Sequence, residues 1–212
     1  MAFNLDAFRS SLQYDGARPN LFEVILIPPT TISDALTAGQ KLRFMARAAQ
    51  LPGKTVGVVP VYYMGREIKV PGNVTYQEWT LTVMNDEDFA IRKVMERWHG
   101  AINSNRDNVR RSGFLNFSGY SVNASVVQYS KLGTGNINGE GTGRGGTVDL
   151  NRGATGIRKY NFIGIWPADV SNIDLDWGAN DAIEEFSLTL AYQWWEVEGE
   201  KDTTIAAKTR VG

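Results

Sequence analysis

Between Glu184 and Glu196, Phe186, Leu188, Leu190, Tyr192 and Trp194 alternate with Ser187, Thr189, Ala191 and Gln193. Successive side chains of a strand point to opposite faces, so this period of two predicts a strand with one buried and one wetted face. The same pattern occurs a hundred residues earlier. From Gln77 to Met84, Trp79, Leu81 and Val83 alternate with Thr80 and Thr82. Two such stretches require a sheet with a core on one side, and every other segment has to be accommodated to that.

Further strands are expected at Leu21 to Ile27, ended by Pro28-Pro29, and at Leu42 to Ala49, with 30–40 a loop between them. Proline stops the first because it has no amide to donate to a ladder. After the turn Leu51-Pro52-Gly53, Thr55 to Tyr63 reads as a Val- and Tyr-rich strand. Met64-Gly65-Arg66 reverses it, Glu67 to Val70 returns, and Pro71-Gly72 turns again. Later strands are expected at Ser121 to Ser130, Lys159 to Trp166 and Ile173 to Trp177. One helix is expected, from Asp86 to Gly100, with Asn85 or Asp86 as cap and Ile91, Val94, Met95, Trp98 and Ile102 on one stripe. About eight strands, one helix and no β–α–β alternation predict a mainly β chain. The expected architecture is an antiparallel sandwich or barrel with a helix on its flank.

The organisation expected is a single domain over 1–212. Residues 1–18 read equally as a short amphipathic turn or helix, with Leu5, Phe8 and Leu12 at helical spacing, or as an N-terminal arm with no place in the monomer. Residues 133–156 hold nine glycines and read as a long mobile loop, and 197–212 form a polar tail.

Composition narrows the function. The absence of cysteine removes disulfides and thiolate metal sites. A charge of −1, from 22 basic and 23 acidic residues, lacks the basic excess of a nucleic-acid binder. No apolar run approaches the ~20 residues that span a bilayer, and the first residues have neither a basic nor an apolar leader region. The glycosylation-type triplets at Asn73, Asn116 and Asn123 are read as chance matches.

Candidate chemistry is sparse. A nucleophilic triad needs an oriented base, and the one histidine, His99, stands at the end of the helix, where a cation suits the dipole. Gly141 to Gly146 matches a dinucleotide-binding fingerprint, but it sits in a glycine tract with no strand before it or helix after it. Asp174 and Asp176, like Glu184 and Glu185, resemble a carboxylate pair and read more simply as a solvated face. No catalytic, metal or cofactor site is expected.

Seven stretches, in order, resemble the tail tube proteins of T-even-like myophages. They are Ala17 to Val24 (ARPNLFEV), Ala46 to Gly53 (ARAAQLPG), Tyr63 to Gly72 (YMGREIKVPG), Trp79 to Glu87 (WTLTVMNDE), Tyr160 to Pro167 (YNFIGIWP), Leu175 to Trp177 (LDW) and Ile183 to Ala191 (IEEFSLTLA). The resemblance implies hexameric rings whose strands form one continuous barrel around a channel. The rings stack into a tube inside a contractile sheath, and DNA passes through during ejection. It implies a virion protein made in the host cytoplasm, with baseplate and tail terminator proteins as further partners. DNA would pass without specific binding, and the monomer would not insert into membranes. Open sheet edges and near-zero charge agree with that picture. The alternatives are a baseplate tube-initiator, a tube subunit of a contractile bacteriocin or type VI-like secretion system, and, further off, an oligosaccharide-binding module.

Two surfaces are expected on this reading. Leu51, Pro52, Val58, Val59, Tyr62 and Tyr63 form an apolar, proline-interrupted projection suited to ring-to-ring contact, where the resembling family has its ring junction. Asp174 and Asp176, on the polar face of the expected strand 173–177, are candidates for a neutral or acidic lumen wall.

Overall fold

A computed structural model describes residues 5–12, 16–130 and 156–198. The glycine tract from 133 to 155, with its Gly141–Gly146 fingerprint, lies outside the described residues, as do 199–212 of the tail. The chain forms two compact units. One comprises 1–23, 125–161 and 196–212, the other 24–124 and 162–195.

The described strands are β1 (Phe22–Leu26), β2 (Ala46–Ala49), β3 (Lys54–Tyr63), β4 (Arg66–Tyr76), β5 (Trp79–Met84), β6 (Val122–Tyr129), β7 (Gly156–Val170), β8 (Glu185–Ala191) and β9 (Trp194–Val197). Seven form one sheet in the order β1-β6-β7-β8-β5-β2, with β9 on β7, while β3 and β4 pair only with each other. The mainly β, antiparallel class read from the sequence is what the chain adopts.

The larger unit is organised by the two alternating segments. Strands β5 and β8 pair antiparallel with Trp79 opposite Leu190, Leu81 opposite Leu188 and Val83 opposite Phe186, and all six side chains are buried. Matching the register places both apolar sets on one face, where a one-residue slip would turn them all to water. Helix α3 (Ala90–Ile102) contributes Ile91, Val94, Met95 and Trp98 to the buried set. Phe162 of β7 stacks on Trp79, with ring centroids 4.2 Å apart, and meets Tyr192 edge-on at 5.0 Å. The buried indoles remain satisfied: Trp79 Nε1 donates to the Gln50 carbonyl and Trp98 Nε1 to that of Tyr120, each at 2.8 Å.

The smaller unit includes α1 (Leu5–Ser11), whose Leu5 and Phe8 are exposed, as is Leu12 just after it. Within it, Val126 and Val127 of β6 are buried, and Tyr129 hydrogen-bonds Glu23 through its hydroxyl.

Several local expectations are corrected. Residues 35–45 form a helix, α2 (Ala35–Met45), and only 46–49 of the expected strand 42–49 is extended. Ala35, Ala38 and Leu42 make a buried helical stripe, and Gly39 lets the helix approach β1 closely, since a Cβ there would lie 3.0 Å from the Leu26 carbonyl. The sheet is thus flanked by a second helix besides α3. Helix α3 itself starts at Ala90, four residues later than expected. Phe89 is left-handed (φ 52°), and the Asp88 carboxylate accepts from the Ala90 amide at 2.9 Å.

The stretch 173–177 is not a strand. Ladder pairing between β7 and β8 ends where Ser171 donates to Ser187, and Asp176 folds its carboxylate onto the Gly178 amide at 2.9 Å, a local turn that competes with extension. The expected long strand 184–196 is broken after Ala191. Gln193 donates to the Ile163 carbonyl, and the chain resumes as β9 on β7. Strand β7 runs four residues beyond Trp166, and its register shifts between Pro167 and Asp169, where the ladder lacks a proline donor.

Candidate assembly surface

The β3–β4 ribbon is built from local turn chemistry. Met64 (φ 46°) and Gly65 (φ 78°) are both left-handed, the backbone of a two-residue turn whose twist matches the strands it joins. Pairing then runs from Tyr63 opposite Arg66 to Lys54 opposite Tyr76. One irregularity interrupts it: β4 has an extra residue between Pro71 and Val74 opposite Gly57. A Cβ on Gly72 would come within 3.2 Å of the Gly57 carbonyl, so glycine lets the strands stay close at this bulge. With ten and eleven residues at roughly 3.3 Å each, the ribbon is about 30 Å long.

Nothing within the described residues buries it. Val56, Val58, Val59, Val61, Tyr62, Tyr63, Ile68, Val70 and Val74 are all exposed, with Tyr62 at 71% and Met64, at the tip, at 89%. The register sorts them onto two faces. Val59, Val61, Tyr63, Ile68 and Val70 share one with Arg66; Val58, Pro60 and Tyr62 share the other with Glu67, Lys69 and Pro71. At its base, Trp195 donates to the Gly53 carbonyl, and Lys54 lies 5.5 Å from the centroid of the Trp195 ring.

The expected contact residues therefore do not form one patch. Val59 and Tyr63 lie on the apolar face, Val58 and Tyr62 on the mixed face, while exposed Leu51 and half-buried Pro52 precede the ribbon. Val61, Ile68 and Val70, exposed on the same face as Val59 and Tyr63, are not among the expected residues. Their signal was the alternation of Ile68 and Val70 with Glu67 and Lys69, visible once β4 is paired against β3.

Asp174 and Asp176 are exposed, but in the loop 171–184, not on a strand face. Asn172 donates to Asp174 at 3.3 Å. The polar-face basis for placing them on a lumen wall is absent. Leu175 and Ile183 are exposed in the same loop, and Trp177 is wholly so.

The remaining polar groups support structure. Lys41 of α2 binds Asp86 at 3.0 Å and also Asp88. The hydrogen bond from Lys41, then that from the Ala90 amide, holds the Asp88 carboxyl below its ordinary pKa, and the Asp88 and Asp86 hydrogen bonds raise that of Lys41. Burial raises the Tyr192 phenol, with Tyr76 adding to the shift. His99 is exposed in the last turn of α3. Among the described residues no group of three or more His, Cys, Asp or Glu is placed to hold a metal, and no helix is long and apolar enough to cross a membrane.

Known proteins resemble this chain in sequence and in fold. Residues 17–198 match the family described as phage tail tube protein. The tail tube protein gp19 of Enterobacteria phage T4 is 31% identical over 191 residues, covering 90% of this chain and 98% of the relative. That of phage T6 is 30% identical over the same shares. A chain in the sheath–tube complex of an extracellular contractile injection system (PVC) superposes with a TM-score of 0.52 at 12% identity, covering 93% of this chain and 99% of the other. One in the tube-terminating cap of the anti-feeding prophage gives 0.53 at 13%, covering 86% and 90%. These two superpositions establish likeness of fold. With the family match spanning most of its length and gp19 aligned nearly end to end, this chain belongs to the phage tail tube protein family.

Proposed function

We propose that the chain is the structural subunit of a phage tail tube, forming hexameric rings that stack into a hollow conduit within a contractile sheath. DNA passes along the conduit during ejection without specific binding. The chain acts throughout 1–212 as one tail-tube domain, has no catalytic activity, and works in the virion tail after synthesis in the host cytoplasm. Its partners are further copies of itself, the sheath protein, and baseplate and terminator proteins. The monomer does not insert into membranes.

The exposed ribbon carries this reading. A two-stranded hairpin is at best marginal alone in water, and this one is apolar on one face and partly so on the other. Full burial of an exposed Val or Ile side chain contributes about 1.5–3 kcal/mol; the five apolar side chains of one face are each about half exposed, so covering them together still favours association. We place the ring-to-ring contact there, with Val59, Val61, Tyr63, Ile68 and Val70 as its apolar side and Val58 and Tyr62 behind them. Leu51 and Pro52 flank the base. A neutral or acidic channel fits the net charge of −1, since a cationic wall would grip phosphates. Electron microscopy of the purified protein tests the proposal: rings or tubes are expected, and a monodisperse monomer at all concentrations contradicts it.

A further inference from the structure

The larger unit carries a second pair of features that suit one another. Loop 171–184 projects Trp177, fully exposed, with Leu175 and Ile183 also exposed. It holds four carboxylates, Asp174, Asp176, Asp181 and Glu184, and no basic residue. The same unit has an open cleft of about 450 Å³ lined by His99, Ile102, Asn103, Asn108, Arg110, Trp166 and Pro167. That volume lies in the range of small-molecule pockets, roughly 300–1,000 Å³, and is ample for an indole. Arg110 gives its lining a cation, and the segment 103–111 that contributes Arg110 also contains Arg106 and Arg111 against the single carboxylate of Asp107. Arg110 is held over the Tyr120 ring at 5.3 Å, which fixes its guanidinium at the edge of the cleft.

We infer that the Trp177 loop of one copy docks in the His99–Arg110–Trp166 cleft of a second copy. Trp177 supplies the apolar anchor against Ile102, Trp166 and Pro167, and the loop carboxylates meet Arg110 and the basic segment around it. Aromatic anchors seated in pockets dominate interface energetics, and the opposed charges orient the approach. Projection and cleft are different patches of one chain. Copies can therefore engage head to tail, and such a contact propagates from copy to copy until a ring closes. The inference rests on the reading of the chain as a self-assembling subunit and adds a contact separate from the β3–β4 ribbon.

The absence of native cysteine allows a direct test. Ala179→Cys marks the loop and Val109→Cys the cleft rim. On mild oxidation of the assembled full-length protein, the double variant is expected to form a ladder of disulfide-linked multimers. Each single variant should form none beyond a dimer. Trp177→Ala should leave the subunit's melting temperature unchanged and raise the concentration for half-assembly at least about tenfold, as loss of an interface anchor does. Assembly of the double variant without a ladder, or with a disulfide closed inside one chain, overturns the docking and leaves the tube reading intact. A wild-type chain that never assembles overturns both. Unchanged assembly of Trp177→Ala removes the loop as an anchor.

Discussion

The pair β5–β8 and the ribbon β3–β4 are both regular antiparallel ladders, yet one is the centre of a core and the other stands in solvent. The difference lies in what alternates. In β5 and β8 the apolar side chains alternate with Thr, Ser and Ala, so one face is apolar and the register brings Trp79, Leu81, Val83, Phe186, Leu188 and Leu190 together. In β3 the sequence Val58-Val59-Pro60-Val61-Tyr62-Tyr63 is apolar on both faces, and no described element covers either. A strand with one apolar face is completed within its own subunit. A ribbon with apolar side chains on both sides calls for neighbours.

This contrast predicts that substitutions in the two ladders separate stability from assembly. The largest effect is expected from Trp79→Ala, which removes the stack on Phe162 and the bond to Gln50. The subunit should lose about 3–5 kcal/mol, read from denaturant unfolding, with assembly failing only because the fold fails. Next comes Gly164→Ala. Gly164 has φ 67°, and a Cβ there would lie 2.4 Å from Cζ of Phe117, so a loss of roughly 1–3 kcal/mol is expected in the same measurement. On the ribbon the order reverses. Replacing Val58, Val59 and Tyr62 together with Ser should change subunit stability little, within the ~1 kcal/mol span of strand propensity, while the critical concentration for assembly rises steeply. Core-sized destabilisation with unchanged assembly would place these side chains in the subunit's interior.

The smallest effect concerns the Lys41–Asp88 pair, where both groups are largely solvated. The carboxyl of Asp88 has a lowered pKa when folded, so its contribution is present above the ordinary carboxylate range and is lost as pH falls through the lowered value. Lys41, raised, loses its contribution only as pH rises past its own elevated value. Asp88→Asn should therefore lower the melting temperature slightly at neutral pH, and the difference from wild type should vanish in acid.

Much of the sheet was legible because period-two alternation is a direct image of a half-buried ladder, as in β5 and β8. The α3 stripe was legible for the corresponding reason. The errors fell where local pattern was ambiguous or tertiary partners decided. Leu42, Phe44, Ala46 and Ala48 alternate like a strand, yet Ala35, Ala38 and Leu42 pack as a helix, with Gly39 pressed against β1. The Ile173–Trp177 alternation had no ladder to join and folded into a turn on Asp176. The break after Ala191 depends on β7 offering Ile163 as a new partner, which no local pattern encodes. For the proposed ring contact, the apolar character of the segment was legible and its two faces were not. Assigning them required the register between β3 and β4 and the position of the bulge.

The central claim is that the β3–β4 ribbon is an interface between copies, and amide hydrogen exchange tests it most directly. Exchange is compared between dissociated subunits and assembled particles of the full chain. In free subunits, amides of 54–76 should exchange far faster than those of 79–84 and 185–191, since a solvent-exposed ladder opens at low cost. On assembly, protection across 54–76 should rise by orders of magnitude while the core segments change little. Equal protection of the ribbon in free and assembled protein would contradict the account.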